Sequence, residues 1–324
     1  MPKPEPLQIS RFRSTDVPDQ TGKTILITGA NNGLGLQAAT VLAGAGAAIV
    51  LACRNQNTGK AALAQVRAAA PNAEHHLVRI NLSDLASVRA AAAEALAAVP
   101  RIDVLINNAG LMAIPFAKTV DGFEMQIGTN HLGHFVLTDE LLPALLAAPA
   151  ARVVSLASIA HWPAKIKLDD LNFERRRYTK MGAYQQSKLA NLLFSGELAR
   201  RSEAAGTSIT SIAAHPGVAA TNLFDSMVPP IPGAVTMTHL GLRVVGNSEK
   251  EGALSQLYAA TMPDANNDDY LGPTQLRGMR GPVRRSPRSK SARDRKLAAD
   301  FWAKSVELTG ATYGLLEPKS KSKR

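Results

Sequence analysis

The sequence predicts an α/β fold built on one doubly wound parallel sheet, and three observations carry that prediction. Short apolar runs of strand length alternate with longer helical patterns along most of the chain, as repeated β-α-β units do. A glycine-rich turn, Gly29-Ala30-Asn31-Asn32-Gly33-Leu34-Gly35, joins the first strand to the first helix. Small or polar residues stand where later strands should end, at Arg54, at Asn108-Ala109-Gly110, at Ser158 and at His215-Pro216-Gly217. Sheets of this kind bind ligands at that edge.

In chain order, residues 1–20 are rich in Pro and charge and read as a flexible arm. Residues 24–28 form a short buried strand, and a helix follows the glycine turn from Leu36 to Ala45. Glycines at the turn let a backbone approach a pyrophosphate, and the free N–H groups of a helix N-terminus favour its charge. The spacing is GxxxGxG, so the turn alone is a weak signal. The second strand, 48–52, ends in Cys53-Arg54-Asn55. Dinucleotide folds often place an acid there for the ribose hydroxyls; a guanidinium suits a 2′-phosphate instead, which favours NADP over NAD. After a helix over 57–69 and a strand over 76–80, Ser83 is the expected N-cap of a helix running to about Val99. A strand over 103–106 reaches Asn107-Asn108-Ala109-Gly110, and one long helix is expected over 122–146. His131 and His134 lie in that helix without the Cys or acid partners of a metal site, so no metal is expected. Asn130, polar and facing the sheet, needs a hydrogen-bond partner.

A strand over 152–157 ends at Ser158, and a charged loop leads to a helix from Tyr184 to about Ala205. A strand over 208–214 follows. Residues 222–248 hold an apolar, proline-interrupted insert, readable as a lid over a substrate or as a dimer or membrane-surface contact. A helix over 249–261, a short strand near Tyr270, a basic loop over 277–291 and an amphipathic helix over 292–308 complete the fold. One domain is expected over residues 21–310, with a basic tail over 311–324 whose final Lys/Ser run is expected to be disordered.

Composition narrows the function classes. The chain has 324 residues, 45% of them hydrophobic, enough for a large core. Its one cysteine, Cys53, forbids a disulfide framework and fits a reducing compartment. The N-terminus has the pattern of no signal peptide and no stretch is long enough to span a membrane, so a cytoplasmic location is expected, peripheral to membrane at most. The net charge of +11 is concentrated near the C-terminus: nine basic residues lie between Arg277 and Lys296 against one acid, Asp294. Solvated loop charge is the favoured reading, with weak contact to an anionic membrane as the alternative. Nucleic acid is not an expected partner, because the body of the fold is near neutral.

Tyr184 and Lys188 stand four residues apart, on one face of a helix. An ammonium beside a phenol favours the phenolate, and a tuned phenol exchanges protons with an alcohol or carbonyl oxygen. Alone, the pattern is common on amphipathic helices. In order with Gly29-Gly33-Gly35, Asn107-Asn108-Ala109-Gly110, Asn130, Ser158 and Pro216-Gly217 it resembles the short-chain dehydrogenase/reductase family, a Rossmann-type fold, over about residues 20–310. Ala52-Cys53-Arg54-Asn55, the 130–135 stretch and Ser158-Ile159-Ala160-His161 are similar to its retinol dehydrogenase and protochlorophyllide reductase branch, which usually prefers NADP.

The resemblance implies Tyr184 as general acid in reduction and base in oxidation, and Lys188 as the cation that lowers its pKa and meets the nicotinamide ribose. It implies Ser158 as donor to the substrate oxygen and Asn130 as holder of a relay water. Cofactor contacts are implied at Gly29, Asn31, Asn32, Gly33, Leu34, Gly35, Arg54, Asn81, Leu82, Asn108, Ala109, Gly110, Tyr184, Lys188, Pro216, Gly217 and Thr221. Asn81 departs from the Asp frequent in the family. Ala157 stands where relatives have a second Ser, and Ser158 rather than Ser155 is assigned by its offset to Ala160-His161. The expected function is NADP(H)-dependent interconversion of an alcohol and a carbonyl on a lipophilic small molecule, with a homo-oligomer open. A non-catalytic NADP-binding sensor or scaffold of the same fold is the alternative.

Overall fold

A computed structural model describes Leu7, residues 11–218 and residues 247–316. Thr221 and nearly all of the apolar insert lie outside these residues. Among the described residues one sheet runs in the order β3-β2-β1-β4-β5-β6-β7-β8. Its strands are β1 (Thr24–Thr28), β2 (Ala48–Cys53), β3 (His76–Arg79), β4 (Val104–Asn107), β5 (Arg152–Leu156), β6 (Thr210–Ala214), β7 (Tyr270–Gln275) and β8 (Arg280–Arg285). The first seven are parallel and β8 joins β7 antiparallel. Runs such as Thr-Ile-Leu-Ile-Thr bury all but one residue, because helices cover both sheet faces.

On one face lie α1 (Gly33–Gly44), α2 (Gln56–Ala69) and α8 (Glu249–Thr261); on the other lie α3 (Leu85–Ala98), α5 (Gly133–Glu140), α6 (Leu142–Leu146) and α7 (Lys180–Ala204). The short α4 (Met125–Ile127) precedes α5, and α9 (Arg295–Thr309) packs on α7. The register aligns the C-terminal ends that matter: Thr28 pairs with Ala52, Asn107 with Ser155, and Leu156 with Ala214. The strand order reverses between β1 and β4, which opens a crevice beside the glycine turn.

Several boundaries differ from expectation. Asp84, not Ser83, caps α3: its carboxylate accepts from Ser87 N–H at 3.1 Å, while the Ser83 hydroxyl turns to Asn81 Oδ1 at 2.8 Å. A carboxylate also suits the positive end of a helix. The helix expected over 122–146 is broken into parts. Glu124 caps α4, residues Gly128–Leu132 form a π-helical turn, and Pro143 restarts the chain as α6. The basic loop expected over 277–291 contains β8, which shows no apolar alternation because it is a charged edge strand with only Val283 buried. The N-terminal arm is anchored where Phe12 meets the Tyr258 ring edge-on at 4.9 Å. At the other end Tyr313 is buried beside Trp302, with ring centroids 4.5 Å apart.

Candidate active site

The glycine turn is shaped for close approach. Gly29 and Gly33 have φ of 66° and 51°, in the left-handed region. A Cβ on Gly35 would strike the Gly29 carbonyl, a backbone group that cannot yield. The α1 N-cap, Asn32, gives no side-chain bond to the first turn, so those N–H groups are left for a ligand's negative charge. Thr28 ties the neighbouring strand ends together: its hydroxyl oxygen accepts from Asn108 N–H and Ala109 N–H, each at 3.0 Å, and its carbonyl accepts from Asn108 Nδ2 at 2.8 Å. A cleft of about 400 Å³ runs from Arg54 and Asn81 past the turn to Asn108, Ala109, Gly110, Tyr184 and Lys188. Its shape and its open N–H groups fit a dinucleotide.

Arg54 is exposed at the end of β2, on the wall of this cleft. Asn31, Asn32, Leu34, Leu82 and Pro216 line it as well. Asn81 uses Oδ1 to accept from the Ser83 hydroxyl. Gly217, with φ of 74°, leaves no room for a Cβ beside Asn247 and Pro273. The Asn247 amide closes this turn by donating to the Pro216 carbonyl at 2.9 Å.

At the far end of the cleft the α7 helix brings Tyr184 and Lys188 together, only 6% and 5% exposed. Lys188 Nζ lies 5.7 Å from the centre of the Tyr184 ring and donates to the Leu156 carbonyl at 3.0 Å. Asn191 Nδ2 shares that carbonyl at 2.9 Å. Burial pushes the Lys188 amine down to about 8. The sequence predicts that Lys188 lowers the Tyr184 phenol; instead burial pushes it up to about 12, and the effect acting the other way is the Ser158 hydroxyl bond. Ser158 starts a 3-10 turn in which its Oγ accepts from Ala160 N–H at 3.1 Å, which leaves its O–H to donate outward. Ser155 is buried inside β5, and its hydroxyl has no partner among the described residues.

Asn130 sits in the π turn and is fully buried. Its amide bonds both backbone polar groups of Leu111, Oδ1 accepting from N–H at 2.7 Å and Nδ2 donating to the carbonyl at 2.9 Å. Nδ2 also reaches Ser187 Oγ at 2.9 Å. This side chain therefore holds the chain just after Gly110, whose missing Cβ would stand 3.2 Å from Asn130 Oδ1.

The sequence alone gives no sign of Asn191 or Asn247, shows Thr28 only as the residue that opens the glycine turn, and raises His134 only as a metal ligand without partners. His134 Nδ1 meets the Asn130 carbonyl at 3.1 Å, so that nitrogen carries the proton; Nε2 then accepts from the Thr28 hydroxyl at 2.9 Å. Burial holds His134 down to about 4, and so neutral. The signal available was a histidine on the same helical face as Asn130, four residues on. His131 belongs to the core: Nε2 meets Ser305 Oγ, and the ring packs on Phe301 at 4.6 Å. Among the described residues no cluster could hold a metal ion, and no helix is long and apolar enough to cross a membrane.

Comparison with known proteins agrees with this geometry. The family model described as short chain dehydrogenase matches residues 23–230. Human retinol dehydrogenase 13 is 38% identical over 89% of this chain and 85% of its own length. Mouse polyprenol dehydrogenase is 37% identical over 94% of this chain and 88% of its own. The crystal structure of an uncharacterized protein from Mycobacterium paratuberculosis, 43% identical, superposes with a TM-score of 0.77 over 93% of this chain and 98% of that one. The chain is thus an oxidoreductase that belongs to the short-chain dehydrogenase family, in its retinol dehydrogenase-like branch.

Proposed function

We propose that this protein uses NADP(H) to interconvert an alcohol and a carbonyl on a lipophilic small molecule. The carrying observation is the convergence of Ser158, Tyr184 and Lys188 at one end of a cleft whose other end presents Arg54. No carboxylate stands at the end of β2, where Cys53, Arg54 and Asn55 follow one another. An exposed guanidinium there can pair with a 2′-phosphate through two parallel hydrogen bonds. Asn81, with Oδ1 engaged, has its Nδ2 hydrogens to offer the adenine end.

When bound, the nicotinamide supplies or takes the hydride. Every proton movement is left to the protein. Tyr184 is protonated at neutral pH and burial only reinforces this, so in reduction it gives its proton to the substrate oxygen as negative charge develops there. The Ser158 O–H donates a second bond to the same oxygen, fixed in place before the reaction starts. The Lys188 ammonium stabilises the phenolate that remains. Oxidation runs these steps in reverse, and there Tyr184 must first lose its proton.

A lipophilic substrate is supported by the surroundings of Tyr184. Met112, Ala113, Ala160 and Met181 pack round its ring. A further cavity of about 430 Å³, walled by Ile159, Trp162, Tyr270, Pro273 and Pro287, begins one residue beyond Ser158. Two relatives of comparable length are named for retinol and polyprenol, both long apolar alcohols.

The test is NADPH oxidation by the purified protein with a panel of long-chain and ring-bearing aldehydes and ketones. Turnover is expected to fall at least 100-fold, the scale of losing general acid catalysis, in Tyr184→Phe, with NADPH still bound. Absence of turnover across the panel, or an active Tyr184→Phe, would contradict the reading. Alcohol oxidation should rise about tenfold per pH unit below the Tyr184 pKa, while carbonyl reduction stays flat near neutrality.

A further inference from the structure

Residues 286–294 connect β8 to α9 and belong to the basic stretch that no step above uses. Two of their groups reach back beneath the candidate site. The Ser286 hydroxyl meets His215 Nε2 at 2.9 Å, and the Ser289 N–H meets His161 Nε2 at 3.1 Å. The second nitrogen of each ring settles the proton positions. His161 Nδ1 lies 2.7 Å from the Ser158 carbonyl, which can only accept, so Nδ1 carries the hydrogen and Nε2 accepts from Ser289. His215 Nδ1 accepts from Gly217 N–H at 3.3 Å, so Nε2 carries the hydrogen and donates to Ser286 Oγ. The Ser286 proton then goes to the Gly272 carbonyl at 3.3 Å. Both chains of bonds need a neutral ring, and burial depresses both imidazoles.

Packing also confines the two rings. Tyr270 packs against both, with ring centroids 5.6 Å from His161 and 5.0 Å from His215. Gly272 lies directly against the His215 ring, where a Cβ would collide with it. Ion pairs from Arg285 to Asp269 at 2.9 Å and from Arg288 to Asp268 at 2.5 Å pin the segment on either side of Ser286.

We propose that residues 286–289 are a positioning brace for the active site, acting through His161 on the Ser158 donor and through His215 on the Pro216-Gly217 turn. The inference rests on the roles proposed above for Ser158 and for that turn. His161 and His215 touch neither substrate nor cofactor in it; they orient the groups that do. Part of the basic segment is then a strut under the catalytic edge, not a run of solvated charge.

Ring ¹⁵N NMR of the full chain tests the geometry without any turnover. His161 should show the Nδ1–H tautomer and His215 the Nε2–H tautomer, both unprotonated from about pH 6 to pH 8. Reversed tautomers, or an imidazolium at either site in that range, would overturn the brace. Kinetics test its consequence. His161→Phe removes both bonds and should cost about 100-fold in kcat, the scale of a misplaced catalytic group, with NADPH affinity unchanged. His161→Asn sets an amide nitrogen where Nδ1 stood and should regain about tenfold of that loss. An unaltered kcat in His161→Phe, alongside an inactive Tyr184→Phe, would refute the brace while leaving the proposed function intact. A wild-type protein inactive on every carbonyl would instead count against the function, and the tautomers would still decide the brace.

Discussion

At the scale of single residues, burial governs the candidate chemistry. Tyr184 and Lys188 share a helix face, as their spacing requires, yet each is pushed toward its neutral form by loss of water. A lysine whose value falls from 10.5 to about 8 on folding sheds its proton earlier in the folded state than in the unfolded one. Stability then rises with pH between about 8 and 10.5, and below about 8 the full penalty remains, on the order of 3 kcal/mol. Tyr184 works oppositely, since its raised value removes stability only above about pH 10. Lys188→Met should therefore be more stable than the wild type at pH 7, with an advantage that shrinks above about pH 8 and is gone only near pH 10.5, as read by urea midpoints. A Lys188→Met protein less stable at pH 7 would show that the Leu156 bond outweighs desolvation.

At the scale of elements, the site depends on irregularities. The π turn over Gly128–Leu132 places Asn130 against Leu111 and turns His134 toward Thr28. One neutral imidazole thus links β1 to the helix that carries Asn130. His134→Leu should lower the unfolding free energy by about 1–3 kcal/mol, since the Asn130 carbonyl and the Thr28 hydroxyl both lose a buried partner. Denaturant titration checks this, and an unchanged midpoint would mean that both groups find other partners. Such features were hidden from sequence periodicity. A π turn leaves the apolar pattern of 122–146 intact while changing its geometry, and Pro143 alone hinted at a break. The strand β8 was hidden for another reason: Arg280, Arg284 and Arg285 give it the composition of a loop. Regular parallel strands were legible almost to the residue, because burial on both faces writes a continuous apolar run.

At the scale of the whole molecule, chain order carried the most information. Gly29, Arg54, Gly110, Ser158 and Pro216 are far apart in sequence, yet each follows a strand, and a parallel sheet brings all such ends to one edge. The histidines behind the edge were not legible, since His161 and His215 gain their meaning only from Ser289 and Ser286. Nor was the fate of the basic segment, where Arg285 and Arg288 are paired with acids that precede β7. The proposed preference for NADP(H) is the part most specific to this chain, and the proposal assigns it to Arg54. Fluorescence titration of the wild type and Arg54→Ala with NADPH and NADH tests that most directly. NADPH should bind the wild type about 10- to 100-fold more tightly than NADH, and Arg54→Ala should remove most of that difference, the scale of a charge-assisted bond of about 1.5–3 kcal/mol. Equal affinity for the two nucleotides in the wild type, or a preference that survives Arg54→Ala, would contradict the account.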